Sequence, residues 1–276
     1  MFKFLVGSGL LITMATLFGC VDTQQVSLTG RKHPSGWSDQ IRELAGHSWL
    51  PAQLAFNVYK EQPEFDVSAR YHLIRDFEER KIDFFASLYK ENDKENYILA
   101  FRGTDSLADF EAGNNPFFQG QNEYALTVYD QVLASYSPKE ITVVGHSLGG
   151  AIAIHVSLNR ANVKAYTFNG SPVFHSDGVP FENERYSIVE YGEVLKIGRF
   201  FGREATQLYT SIGCTNEKNP FPQHAMKLLA SCLTKIASDA ERTSSLGAHR
   251  DQIGMDLPPV AKRDGRERYI DLIIAK

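Results

Sequence analysis

Apolar and polar positions follow two rhythms along this chain, and the two alternate. Short runs rich in β-branched and aromatic residues occupy 70–75, 82–89, 97–101, 141–145, Val163–Phe168, 185–191, 193–197 and 207–211, which predicts strands. Helical spacing of apolar residues covers 38–59, 123–136, 151–159 and 224–233. The polar stretch 91–95 between two strands predicts a hairpin. Pro51 is expected to interrupt the first helix, because its ring removes an N–H and crowds the preceding turn. Ser137-Pro138 is expected to end the helix over 123–136, and 106–120 has no regular pattern. Strands and helices that alternate around the middle of the chain predict an α/β fold, with a mostly parallel central sheet flanked by helices on both faces.

The two ends read differently. Lys3 followed by the apolar stretch 4–18 has the layout of an export signal. Leu17-Phe18-Gly19-Cys20 resembles the lipobox of bacterial lipoprotein signal peptides. That resemblance implies removal of residues 1–19 and lipid attachment at Cys20. A plain signal peptide and an uncleaved anchor are the alternatives, although the run is short for a membrane-spanning helix. Val21 at the second exported position, without an aspartate there, implies a cell-envelope protein held at the outer membrane if the cell is Gram-negative. Residues 20–37 are polar, with Gly30, Pro34 and Gly36, and read as a linker. The α/β domain is expected over 38–237. Residues 238–276 read as a charged tail with a final apolar segment at 269–275.

A chain of 276 residues with 43% hydrophobic content has room for one sizeable α/β domain. A net charge of −4 and a pI near 6.1 give no electrostatic reason to expect a nucleic-acid partner. The histidines and cysteines lack zinc-like spacing, so no metal or organic cofactor is expected. With Cys20 lipidated, Cys214 and Cys232 remain. In an oxidising compartment they could form a disulfide; two buried thiols are the alternative, since Cys232 falls on an apolar helical face.

The candidate chemistry centres on Gly145-His146-Ser147-Leu148-Gly149-Gly150, between a strand pattern and a helix pattern. Strand, Gly-x-Ser-x-Gly, helix is the context of a nucleophile elbow in an α/β-hydrolase. Side chains at 145 and 149 would collide with the neighbouring strand and helix, and Ser147 would be held in strained backbone. The alternative is a tight turn whose serine only caps the helix. An activated serine needs a base and an acid that orients it, in chain order Ser, Asp or Glu, His. Of the later histidines, His155 lies two turns into the following helix, His175 sits in a loop and His249 in the charged tail. His224 follows Asn219-Pro220-Phe221-Pro222 and opens an apolar helix, a placement both accessible and firmly held. His146 is expected to point away from Ser147. For the acid, Asp177, Glu190 and Glu193 compete, and Glu193 is favoured because it follows Gly192 at a strand's carboxyl end. The oxyanion hole would use the N–H of Leu148 and that of Thr104, which follows the apolar strand ending in Phe101-Arg102-Gly103.

Phe101-Arg102-Gly103-Thr104 upstream of Gly145-His146-Ser147-Leu148-Gly149-Gly150-Ala151 resembles the class 3 lipase family, the fungal triacylglycerol-lipase-like α/β-hydrolases. Asp109-Phe110 is similar to that family's Asp-Trp, and Phe168-Asn169-Gly170-Ser171-Pro172 to its Gly-x-Pro stretch. Val189-Glu190-Tyr191-Gly192-Glu193-Val194 resembles the segment that carries its acid, with glutamate where aspartate is usual. The resemblance spans about 50–237. It implies Ser147 as nucleophile, Glu193 as acid, His224 as base, and Thr104 with Leu148 as oxyanion donors. It also implies a flap over 106–120, where Leu107, Phe110, Phe117 and Phe118 could meet an acyl chain or simply pack the loop down. The expected partners are a lipid or other acyl-ester substrate and, through Cys20, a membrane. Acyl transfer or thioester cleavage with the same nucleophile, and a non-catalytic envelope binding protein on the same fold, are the rival readings.

Overall fold

The computed structural model describes residues 39–59, 63–103, 117–172, 181–195, 208–214 and 219–241. Helix α1 (Asp39–Asn57) comes first, followed by β1 (Tyr71–Glu79), β2 (Phe84–Glu91) and β3 (Asn96–Phe101). Next are α2 (Phe117–Tyr136), β4 (Glu140–His146), α3 (Leu148–Asn159), β5 (Val163–Phe168), β6 (Arg185–Glu190) and β7 (Leu208–Ile212). The short helix α4 (Pro220–Gln223) and the longer α5 (Met226–Glu241) complete the described elements. All seven strands form one sheet in the order of the chain. β1, β2 and β3 pair antiparallel, and β3 through β7 run parallel. This is the expected α/β-hydrolase architecture, a mostly parallel sheet with helices on both faces.

The period-two rhythm of β3 explains the layering. Tyr97, Leu99 and Phe101 face one core, shared with α2 and α3 through Val128, Tyr129, Ile152 and Val156. Ile98 and Ala100 face the other, shared with α1 and α5 through Trp49, Leu54, Leu229 and Leu233. Both faces being covered accounts for the continuous apolar runs of β4 and β5. The parallel pairing of β4, β5 and β6 puts their carboxyl ends at one edge, where the turns leading to Ser147, Asn169 and Glu193 begin.

Four sequence expectations change. α1 runs unbroken through Pro51. The proline forfeits one backbone hydrogen bond, but Leu50, Ala52, Leu54 and Ala55 on either side are buried, and that packing outweighs the local penalty. α2 begins at Phe117, so Phe117, Phe118 and Gly120 belong to a helix and not to a flap. Residues 191–195 form a turn after β6, so Glu193 sits on a loop and not on a further strand. α5 continues past 237 to Glu241, beyond the domain limit expected there. The signal segment 1–19, Cys20, the linker 20–37, most of the expected flap and the tail beyond Glu241 lie outside the described residues. Among those described, no helix is long and apolar enough to cross a membrane.

Candidate active site

Ser147 stands between the end of β4 and the start of α3, with φ 54° and ψ −122°. A non-glycine residue at positive φ costs on the order of 1–3 kcal/mol and persists only where its surroundings over-determine it. Here they do. The Ser147 N–H donates to the Phe168 carbonyl at 3.1 Å, and its own carbonyl accepts from Gly150, Ala151 and Ser171 at 3.0, 3.2 and 2.8 Å. The turn is closed on both sides by backbone. A Cβ on Gly145 would lie 2.1 Å from the Gly149 carbonyl oxygen, and one on Gly149 would lie 2.2 Å from that of Phe101. Although Ser147 occupies the N-cap position of α3, its side chain makes no capping hydrogen bond, which argues against a purely structural role. Leu148 is the first residue of α3. Its N–H therefore belongs to the first turn, where the helix supplies no acceptor and the dipole favours negative charge.

His224 lies in the turn between α4 and α5, not at the opening of a single helix. Its Nδ1 is 2.8 Å from Glu193 Oε2, and both side chains are buried. A carboxylate oxygen can only accept, so the ring proton sits on Nδ1 and Nε2 is left as the acceptor, the tautomer a general base requires. Glu193 Oε2 also accepts from the Leu195 N–H at 3.0 Å, which fixes the carboxylate on its loop. The His224 backbone is anchored at both ends. Its N–H donates to Phe221 at 3.0 Å. Its carbonyl accepts from His146 Nε2 at 2.8 Å and from Asn169 Nδ2 at 3.2 Å. The rings of His146 and His224 are 4.7 Å apart between centroids, which brings His224 against the residue immediately before Ser147.

Glu190, the competing carboxylate, faces elsewhere. Both of its oxygens accept from the Cys214 N–H, at 2.9 and 2.8 Å, so it secures the end of β7. Cys214 is disulfide-bonded to Cys232 of α5. His155 lies within α3, and Asn159 donates to its carbonyl at 2.8 Å. Thr104, His175, Asp177 and His249 lie outside the described residues.

Two residues to which sequence reasoning assigned no role at the site, Asn169 and Tyr59, hold this arrangement together. Asn169, at φ 45° and fully buried, accepts from the Glu190 N–H at 2.7 Å while donating to the carbonyls of Gln223 and His224. It thereby ties the ends of β5 and β6 to the turn that bears His224. Tyr59, beyond α1, contacts both Gly103 and His146. An asparagine directly after an apolar strand was a readable turn signal; nothing local marked Tyr59 or the inward path of His146. Among the described residues, no group of three or more His, Cys, Asp or Glu side chains is placed to hold a metal ion.

Comparison with known proteins gives a family match over part of the chain. Residues 51–183 match the family described as phospholipase-like, Tle-like phospholipase domain. That segment contains Gly103, Ser147 and Asn169 and stops short of Glu193 and His224. No curated protein matches the chain. Among solved structures, the chain is similar to the lipase of Rhizopus microsporus var. chinensis, at 17% identity over 68% of this chain and 80% of that one, with a TM-score of 0.48. It is similar to Lip2 lipase of Yarrowia lipolytica at 18% identity, over 62% and 79%, TM-score 0.46. A third similar structure is the triacylglyceride lipase of Rhizomucor miehei, at 19% identity over 65% and 82%, TM-score 0.46. Over residues 51–183, then, the chain is similar to the phospholipase-like family, Tle-like phospholipase domain.

Proposed function

We propose that this protein hydrolyses carboxylic esters of lipids through an acyl-enzyme, with Ser147 as nucleophile, His224 as base and Glu193 as the acid that orients it. The observation that carries the reading is the buried Glu193–His224 pair, held by its backbone against the residue next to Ser147. In this mechanism Ser147 Oγ attacks the ester carbonyl and its proton passes to His224 Nε2. Glu193 stabilises the imidazolium and keeps the proton on Nδ1. The carbonyl oxygen becomes an oxyanion facing the N–H of Leu148 at the start of α3, with Thr104 as the second donor. Each such donor is worth about 10²–10³ in turnover. His224 then protonates the departing alcohol, water enters, and the same base activates it to release the fatty acid.

The phospholipase-like family match over residues 51–183 supports a glycerolipid or phospholipid as substrate. We further propose that the chain is exported and held at a bacterial envelope membrane by lipid on Cys20, which would put the enzyme beside such substrates. The test is a substrate panel on the purified protein: phospholipid vesicles, a triglyceride emulsion and short soluble esters. Release of fatty acid from a long-chain lipid, lost in Ser147→Ala, is expected. Activity confined to short soluble esters would overturn the substrate assignment. Retention of Cys20→Ser at the membrane after cell fractionation would overturn the anchor.

A further inference from the structure

A hydrogen-bonded chain crosses beneath the proposed site and joins parts of it that are distant in sequence. The Gly103 N–H, just past β3, donates to the Tyr59 hydroxyl at 2.9 Å. That hydroxyl is 3.0 Å from His146 Nδ1, and His146 Nε2 is 2.8 Å from the His224 carbonyl oxygen. The proton positions follow from the ends of the chain. A carbonyl oxygen can only accept, so His146 Nε2 carries the hydrogen; in the neutral ring Nδ1 then accepts, and Tyr59 donates to it. The tyrosine oxygen is left to accept from Gly103. The Tyr59 hydroxyl also lies 3.3 Å from the His146 carbonyl oxygen, so its one proton faces two acceptors on the same residue.

The packing is as specific as the bonding. A Cβ on Gly103 would lie 2.4 Å from the Tyr59 hydroxyl and 2.5 Å from the His146 carbonyl oxygen, so residue 103 sits directly on the pair. The Tyr59 and His146 rings meet edge to face, with centroids 5.8 Å apart. His146 is 8% exposed. Tyr59 is delivered by the end of α1, where its N–H donates to the Phe56 carbonyl at 3.1 Å.

We propose that Tyr59 and His146 act as one pair of positioning residues, which sets the backbone of His224 and the backbone of Gly103 at fixed places around Ser147. This rests on the reading of Ser147, Glu193 and His224 as the catalytic triad. Their effect is on geometry, and small displacements of a base or of the strand end beside the nucleophile are costly to turnover.

The test compares wild type with Tyr59→Phe, His146→Leu, His146→Gln, the Tyr59→Phe/His146→Leu double variant and Ser147→Ala. Turnover of a soluble nitrophenyl ester and the rate of fluorophosphonate labelling are read, with circular dichroism as the check on folding. Tyr59→Phe and His146→Leu are each expected to lower kcat about ten- to a hundredfold with KM unchanged. The double variant is expected to lose no more than the worse single one, because either change breaks the same chain. His146→Gln keeps one donor and one acceptor on a flat group and is expected to recover most of the loss. If His146→Leu does not fold, Tyr59→Phe, which removes a single oxygen, and His146→Gln carry the comparison. Folded variants with wild-type kcat, losses confined to KM, losses that multiply in the double variant, or no rescue by glutamine would each overturn the pairing. Labelling that persists in Ser147→Ala would instead overturn the triad reading on which the pairing rests.

Discussion

Asn169 offers a quantitative test of how the site is held, because one side chain satisfies three buried backbone groups. It is fully buried, its Oδ1 accepts from the Glu190 N–H at 2.7 Å, and its Nδ2 donates to the carbonyls of Gln223 and His224 at 3.3 and 3.2 Å. In Asn169→Ala the Glu190 N–H and the Gln223 carbonyl lose this partner, while the His224 carbonyl keeps His146. A buried backbone group left without a partner costs about 1–3 kcal/mol. The φ of 45° adds to this, since alanine tolerates the left-handed region less well than asparagine by about 1 kcal/mol. Together these give a loss of roughly 3–7 kcal/mol, a large share of the ~5–15 kcal/mol that stabilises an ordinary domain. Asn169→Gly removes the same hydrogen bonds but relieves the backbone, so it should be the more stable of the two variants by about 1 kcal/mol. Urea unfolding of both variants measures the stabilities, and ester turnover below the transition measures the displacement of His224. A loss under about 1 kcal/mol for the alanine variant, or a glycine variant less stable than it, would refute the reasoning.

Three other outcomes are expected. Gly149→Ala would drive a methyl group to 2.2 Å from the Phe101 carbonyl oxygen and 2.9 Å from the Arg102 carbonyl carbon, backbone atoms that cannot swing aside. Loss of fluorophosphonate labelling in a protein that retains its circular dichroism is the expected result. Replacing Cys214 and Cys232 by serine opens a link spanning 18 positions. The chain-entropy cost is about 3 kcal/mol, readable as a lowered urea midpoint that reductant no longer changes. Burial, first among the causes, pushes Tyr71, Tyr89 and Tyr129 up to about 12. Because their folded pKa lies above the unfolded value of 10.0, the stability they contribute is complete below pH 10.0 and falls as the pH rises toward 12. Tyrosinate absorbance should therefore rise in two stages, the later one coinciding with unfolding.

What the sequence made legible was local or periodic. The alternation in β3 assigned Tyr97, Leu99 and Phe101 to one face, and both cores follow it. The elbow was readable because its constraint is steric and confined to the positions around Ser147. Glu193 and His224 could be nominated from their places after a strand and after a proline-rich loop, and the structure brings them to 2.8 Å. Pro51 misled because a local penalty was weighed without the burial of its neighbours. Phe117 and Phe118 were read with the irregular segment before them because the aromatic pair hid the start of α2. The parts that were not legible are those made by distance. Tyr59 meets Gly103 and His146 only once α1, β3 and β4 are assembled, and Asn169 finds Glu190 and His224 only once β5, β6 and the turn before α5 converge. No sequence interval encodes such a meeting.

The central claim is an activated Ser147 served by His224, and fluorophosphonate labelling of the purified mature protein tests it most directly. Wild type should label, while Ser147→Ala and His224→Ala should not. A wild-type protein that stays unlabelled with and without detergent, or labelling that survives in Ser147→Ala, would contradict it.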